Sequence, residues 1–431
     1  MAKKGLTRRD FLKTSAAAIG GTALAGGFSP NIVLGQSPIK VGAVLPLTGP
    51  MSGVGIMMKQ GIELYYETVA KKAAGRPIEL IFEDTQGAPA NAVTKLRKLI
   101  VHDKIHVGMG GFLASTGYAL APLFKGNKLP FISPVFSSDD LTQRDFNPYL
   151  IRCGWSSSQC AHPLGEYAYK KLGYRKIACC AADYAFGYEG TGGFQRTFEE
   201  AGGQIIQKIW IPLGTEDFGP YLTKITKDAD AVYAQIVGAP AIQWVQQYKD
   251  AGMWDKVGPM IGYEPTTDEF VLQTMGTEAT GIISSLFYSA AIESPENEKF
   301  VKDFAKMFKK VPSYFAESCY VALRVVKEAA EALDGKVDDK DKFLEALKGV
   351  HLKNPDAPRG PFKFDNYNNP IQNVYIRRAE DLGEKFGVKC KMWNTVDYTF
   401  PMVSQFWKWD PKEYMKNPVY SRDYPPCRYC S

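Results

Sequence analysis

The sequence predicts an α/β protein built as two Rossmann-like lobes with parallel sheets, and three observations carry that expectation. Short β-branched apolar runs alternate with stretches of helical spacing from residue 39 onward, the pattern of βαβ units and a sheet covered on both faces. The alternation pauses near residue 150 and restarts near 176, so it occurs twice. The 431 residues are also more than one hydrophobic core normally serves.

In chain order, a strand over 39–47 precedes a helix carried by Met58, Ile62, Tyr65, Val69 and Ala73, which Gly75 ends. A strand over 77–83, a helix over 90–101, a strand over 105–109, a helix over 116–124 and a short strand over 131–133 follow. After 149–153 the second series places strands at 176–182, 204–211, 231–237, 260–263 and 281–287. Helices at 161–172, 190–201, 218–227, 239–251 and 269–275 alternate with them. Helices at 297–309, 314–333 and 340–348 have no strands between them, and 361–364 and 372–377 read as late strands. Residues 397–431 are rich in aromatics and proline and lack periodicity.

The N-terminus carries a separate signal. Thr7-Arg8-Arg9-Asp10-Phe11-Leu12-Lys13 matches the twin-arginine export pattern. The Gly/Ala-rich stretch after it is broken by Gly20, Gly21, Gly26 and Gly27, which makes it a poor membrane span. Cleavage is expected near Gly35, with no cysteine there to take a lipid, and the mature protein is expected in the periplasm. Lys3, Lys4, Arg8, Arg9 and Lys13 against Asp10 supply +4 of the chain's +6, leaving +2 beyond residue 36. That is too near neutral to suggest nucleic acid or an anionic membrane surface as a partner.

Eight cysteines remain. Cys153 and Cys160 stand close enough to close a short loop, and Cys427-x-x-Cys430 could pair at the tail. Cys179 and Cys180, adjacent in an apolar strand, point to opposite faces as buried thiols. No phosphate-binding loop, nucleophile elbow or His-Glu-x-x-His helix is present. His102 and His106 straddle a turn around Asp103. Hence no catalytic residue, metal or cofactor is expected.

The candidate binding residues fall just after strands, where open α/β sheets take their ligands. Gly110-Gly111-Phe112-Leu113-Ala114-Ser115-Thr116 joins a strand to a helix, and its hydroxyls and free N–H groups suit a carboxylate, although N-capping alone would also explain them. Ser133-Pro134-Val135-Phe136-Ser137-Ser138-Asp139-Asp140 follows the next strand with the same capacity. In the second half, Tyr184 and Phe186 offer aromatic walls and Glu264 a counter-ion for an ammonium; core packing and a solvated carboxylate are the plainer alternatives.

Taken in order, Val41-Gly42-Ala43-Val44-Leu45-Pro46-Leu47-Thr48-Gly49-Pro50, Gly61, Glu83-Asp84-Thr85 and Ile132-Ser133-Pro134 resemble the branched-chain amino-acid-type solute-binding proteins of ABC importers. Asp140-Leu141-Thr142, Asp183…Phe186-Gly187 and Asp250-Ala251-Gly252 continue the likeness, which spans about 39 to 375. The resemblance implies a type I periplasmic-binding fold, with lobes joined by three crossovers near Trp155, Leu286 and Arg359. It implies capture of one small solute by hinge closure, presentation to an inner-membrane ABC permease, and a monomer. The expected division is a signal peptide over 1–36, lobe one over 37–155 plus 287–358, lobe two over 156–286 plus 359–395, and an extension over 396–431.

Carried over by position, the ligand site comprises Ala114, Ser115, Thr116, Val135, Phe136, Ser137, Tyr184, Phe186 and Glu264. Leu113-Ala114 in place of hydroxyls, Phe136 in place of a small residue, and Val237-Gly238 in place of tyrosines depart from the amino-acid binders. The solute is therefore expected to be an amino acid, an aromatic acid or an amide, with amino acids foremost because Glu264 favours an ammonium. A sensory module for a membrane receptor and an exported cofactor enzyme are the alternatives.

Overall fold

The central strand of the first sheet, Ile39–Leu45 (β1), has nearly every side chain buried, as a strand covered on both faces requires. The structure, a computed structural model, describes residues 37–352 and 356–430; the export segment and its cleavage site lie outside them. Around β1 stand β2 (Lys72–Ala73), β3 (Arg76–Asp84), β4 (Val107–Gly110), β5 (Phe131–Ser133) and β6 (Leu150–Arg152). Their order is β2-β3-β1-β4-β5-β6, and all pairings except β2 with β3 are parallel.

The second sheet begins with β7 (Lys176–Ala182), β8 (Gln204–Ile211), β9 (Ala231–Gln235), β10 (Met260–Tyr263) and β11 (Ile283–Leu286), all paired in parallel. Next come β12 (Phe362–Phe364) and β13 (Pro370–Asp381), a small hairpin of β14 (Glu384–Lys385) and β15 (Val388–Lys389), and then β16 (Met392–Val403). β13 runs antiparallel to β11, β12 and β16. The predicted parallel arrangement thus forms the centre of each sheet, and the late strands close one edge of the second sheet antiparallel.

Helices cover both sheets. Helix Ser52–Thr68 packs beside β1 and against helix Tyr314–Ala332. The two backbones meet at Gly61, where a Cβ would fall 2.0 Å from the Ala316 carbonyl oxygen. The Tyr65 and Tyr320 rings meet edge-on at 4.8 Å along the same seam. The late helices therefore return to the first sheet, as expected from their lack of intervening strands.

Several segments differ from expectation. The first helix, expected to carry Val69 and Ala73, ends at Thr68, and Lys72–Ala73 forms β2. The helix expected over 190–201 starts earlier, at Ala185. The helix expected over 218–227 is a single turn, Gly219–Leu222. Beyond it, the Gln207 side chain accepts from the Thr226 N–H and donates to the Lys224 carbonyl, at 2.9 and 2.7 Å, replacing the helical bonds. Residues read as aperiodic extension supply β16 up to Val403 and the short helix Pro411–Met415.

The segments that connect the two sheets meet at Arg359. Its guanidinium donates to both Glu317 carboxylate oxygens, the Cys153 carbonyl and Gln372 Oε1, and lies 4.4 Å from the Phe287 ring. Arg359 and Glu317 side chains are both fully buried.

The chain after β16 runs as an arm across the elements of both sheets. Gln405 exchanges hydrogen bonds with Thr142, at 3.0 Å in each direction, and Arg144 donates to the Asn417 carbonyl at 2.9 Å. Further on, Arg196 stacks over Trp409 at 3.6 Å, Gln195 donates to the Pro426 carbonyl at 2.9 Å, and Arg422 pairs with Asp183 at 2.9 Å. Phe406, Tyr414 and Tyr420 are buried beneath the arm.

Cys427 and Cys430 form a disulfide. Cys153 and Cys160 do not: both are free and buried, which corrects the pairing expected from their spacing. Their surroundings differ, because Cys153 packs with Cys319 and Arg359 whereas Cys160 faces Glu264 and Arg377. Burial pushes the Cys153 thiol up to about 12 and Cys160 also up, so neither is a ready nucleophile for disulfide formation. Cys179 and Cys180 pack in separate cores on the two faces of β7. With thiol reagent in denaturant, the oxidised protein should titrate six thiols, the six free cysteines; native protein should expose at most Cys390. Four thiols in denaturant would restore the Cys153–Cys160 bridge.

Candidate functional site

Every element of the site lies at a carboxyl-terminal strand end or a helix start, where the fold leaves side chains and backbone N–H groups facing the cleft. A small pocket is lined by Ala114 after β4, Val135 and Ser137 after β5, and Tyr184 and Phe186 after β7. These are five of the nine residues carried over from the sequence. Phe112, Trp155, Val237, Pro265 and Tyr314 complete the wall.

The other four lie elsewhere. Ser115 is exposed. Thr116 is buried with its N–H given to the Leu113 carbonyl. The Phe136 ring stacks on Phe131 at 6.0 Å in the core of the first sheet. It occupies the room left by Gly111 and Gly117, where a Cβ on either would meet it at 2.5 Å. Sequence position alone placed Phe136 at the wall; the turn sends its side chain the other way.

Glu264 does not line the cavity itself, but Pro265 beside it does. It is fully buried at a left-handed φ of 42°, and neither carboxyl oxygen has a hydrogen-bond partner. Burial drives its carboxyl well above the ordinary range; Arg377 opposes this and Asp268 adds to it. Arg377 spends its guanidinium on the Tyr288 carbonyl at 3.0 Å and on Ser284 Oγ and the Glu264 carbonyl at 3.2 Å. Burial without a partner therefore favours the neutral form of Glu264 when the cleft holds no cation.

The cavity is aromatic on most sides. Trp155 meets Tyr314 edge-on at 5.2 Å and Phe287 at 5.3 Å, while Phe186 stacks on Tyr263 at 6.1 Å. The Trp155 indole N–H is buried without a partner. Two helices, Ala114–Gly126 and Ala185–Glu200, start at the cavity, and neither has a side-chain cap. Their first-turn N–H groups and the positive ends of their dipoles favour an anion. Ser137 Oγ lies 2.8 Å from Ser157 Oγ, adding a hydroxyl pair on one side.

His102 and His106 bind no common centre: His102 faces Asp103, and His106 accepts from the Lys40 N–H and faces Asp338. Among the described residues no group of three or more His, Cys, Asp or Glu is placed to hold a metal ion. Among them, too, no helix is long and apolar enough to cross a membrane.

Two largely parallel sheets whose strand ends share one pocket are the build of a solute-trapping protein. The chain belongs to the periplasmic binding protein family, whose profile matches residues 38–384. A twin-arginine translocation signal matches residues 5–25, so the protein is exported by that route to the periplasm. An ABC transporter substrate-binding protein from Sphaerobacter thermophilus is 34% identical, covering 85% of this chain and 99% of that one, with a TM-score of 0.79. The solute-binding protein of an ABC transporter from Rhodopseudomonas palustris BisB5, solved with 3,4-dihydroxybenzoic acid, is 30% identical over 86% of this chain and 98% of that one, TM-score 0.79. A Leu/Ile/Val-binding protein homolog from Brucella melitensis is 28% identical over 79% of this chain and 87% of its own length. The fold is the type I periplasmic-binding fold, and the protein is the solute-capturing component of an ABC transporter.

Proposed function

We propose that this protein captures a small aromatic carboxylate between two lobes and delivers it to an inner-membrane ABC permease. The lobes are the two sheets with their helices, divided near Trp155, Leu286 and Arg359, with the second extending through β16. The observation that carries this reading is the aromatic wall of Trp155, Tyr184, Phe186 and Tyr314 with two uncapped helix starts at its edge. Flat rings suit such walls, and the helix starts with the unpartnered Trp155 N–H suit a carboxylate. The benzoic acid held by the Rhodopseudomonas protein supports the same class. A neutral Glu264 tolerates an anion nearby and can donate a hydrogen bond to it.

A second reading is an amino acid whose ammonium pairs with ionised Glu264, which the two unpartnered oxygens favour. Calorimetry separates them, with ligand-stripped protein titrated with benzoate, 3,4-dihydroxybenzoate and leucine. The aromatic acids should bind and leucine should not. Glu264→Gln, which stays neutral, should change the aromatic-acid Kd by less than about threefold, whereas Glu264→Ala should weaken it by about 10-fold or more through the lost hydrogen bond. Heat with leucine that both variants abolish would establish the amino-acid reading instead.

The sign of the pH effect also differs. A carboxylate ligand needs Glu264 protonated, so binding holds below its raised pKa and weakens as pH rises through it. An ammonium ligand needs Glu264 ionised and would bind more tightly over the same rise.

A further inference from the structure

We propose that closing the cleft takes up one proton, held between Asp139 and Glu189, so that the protein grips its solute more tightly as the pH falls. The inference rests on capture by closure and not on the identity of the solute.

Asp139 follows β5 of the first sheet, while Glu189 belongs to helix Ala185–Glu200, which packs on the second. The Asp139 N–H donates to Glu189 Oε2 at 3.2 Å. The Tyr118 hydroxyl, from helix Ala114–Gly126, donates to Glu189 Oε1 at 2.9 Å. Opening the cleft breaks both contacts. Both carboxyls are buried where these elements meet. Asp139 Oδ1 accepts from the Ser158 N–H at 3.1 Å, and Asp139 Oδ2 has no partner.

Charges around the pair do not balance two anions. Arg152 is the buried guanidinium that faces both acids and also Asp365. Its two terminal nitrogens donate to the Phe136 and Ser138 carbonyls, each at 2.7 Å, and to Thr142 Oγ1 at 3.2 Å, while its Nε–H has no partner. Asp140 is engaged by Arg144 at 2.7 Å. The remaining groups that face the pair are the phenols of Tyr118, Tyr184, Tyr263, Tyr414 and Tyr420. Arg196, beneath the arm, is turned to Glu200 and Trp409, and His162 is held neutral by burial.

Two adjacent buried carboxyls that share one distant guanidinium cannot both ionise cheaply. Burial drives Asp139 up to about 6, with Asp140 adding to it, and drives Glu189 well above the carboxylate range, with Asp139 adding to it. In an open, wetted cleft each would return to about 4. Closure near neutral pH therefore binds a proton. Because the closed-form pKa is the higher one, the gain is complete below the open-form value and is lost as pH rises through the closed-form value. In that window affinity changes by up to about tenfold per pH unit.

Calorimetry with 3,4-dihydroxybenzoate in buffers of different ionisation enthalpy reads the proton count directly. Performing it in a Glu264→Gln background removes any contribution from Glu264. That parent should take up about one proton at pH 7.5. Asp139→Asn keeps an oxygen for the Ser158 N–H and sets a neutral amide at the unpartnered position. It removes the like charge but leaves Glu189 buried, so its uptake should fall below the parent's. Glu189→Gln, made separately, should lose the proton, and its Kd should move by less than about twofold per pH unit. Undiminished uptake in both variants would overturn the proposal. If the acid gives no heat, the aromatic-carboxylate reading fails, and closure is then judged by X-ray scattering on unliganded protein. The parent should be more compact at pH 5.5 than at 8.5 and the two variants less responsive; an unresponsive parent would overturn the proposal.

Discussion

Replacing Arg359 with alanine is expected to cost about 3–5 kcal/mol of folding stability, the loss that follows when one partner of a buried ion pair is removed. Glu317 would be left fully buried beside a void, with its carboxylate stripped of the two N–H donors that now satisfy it. The Cys153 carbonyl and Gln372 would lose their donor as well. Arg359→Lys should recover only part of the loss, because an ammonium cannot reproduce the fork that reaches Glu317, Cys153 and Gln372 together. The double variant Arg359→Met/Glu317→Gln should be milder than Arg359→Ala, since it buries no uncompensated charge. Urea denaturation of the four proteins checks this order. An Arg359→Ala midpoint equal to that of the wild type would remove Arg359 from its place as the tie between the connecting segments.

The second large effect is expected from ending the chain after Val403. The arm buries Phe406, Tyr414 and Tyr420, and each large apolar side chain is worth about 1.5–3 kcal/mol when buried. Its loss also uncovers His162, whose ring packs on Trp409 and Tyr414 at 5.1 and 6.2 Å. Truncation should therefore lower Tm by about 10 °C or more, or leave the protein insoluble. Cys427→Ser/Cys430→Ser should do far less, because the disulfide joins residues with a sequence separation of only 3. A truncated protein that melts with the wild type would mean that the arm rests on a surface that is stable without it.

The fold was legible where residues declare their own surroundings. β7 was readable to the residue because it is an apolar run bounded by charge, β8 because its isoleucine-rich run stands between Gly203 and Pro212, and Tyr314–Ala332 because its apolar face repeats at helical spacing. β16 was not. Its first residues are buried against helix Glu269–Met275, and its later ones stand exposed on an edge, so no period of two survives. Only its pairing with β13, across the small β14–β15 hairpin, identifies it as a strand.

The site was legible in the same uneven way. Loops after strands could be found by position, and five residues from them meet at the cavity. Tyr314 could not be found so, because it starts a helix far along the chain and reads as core. Phe136 failed for the opposite reason: its loop faces the cavity, but its side chain fills space left by two glycines. Asp139 and Glu189 gave no signal at all, since an acid at a turn and an acid in a helix are ordinary until packing sets them together.

The seam between helix Ser52–Thr68 and helix Tyr314–Ala332 dictates an order of assembly. The first sheet cannot bury its outer helix until the ribosome has released more than two hundred further residues, so the core completes only after synthesis has nearly ended. A route that threads the chain unfolded would have to postpone this meeting to the far side of the membrane. The twin-arginine route accepts a finished tertiary structure, and the cysteines accord with folding before export. Six thiols are free and five of them enclosed, as folding in the cytoplasm would leave them. The pair at Cys427 and Cys430, half-buried and exposed on the tail, remains free to be oxidised on arrival.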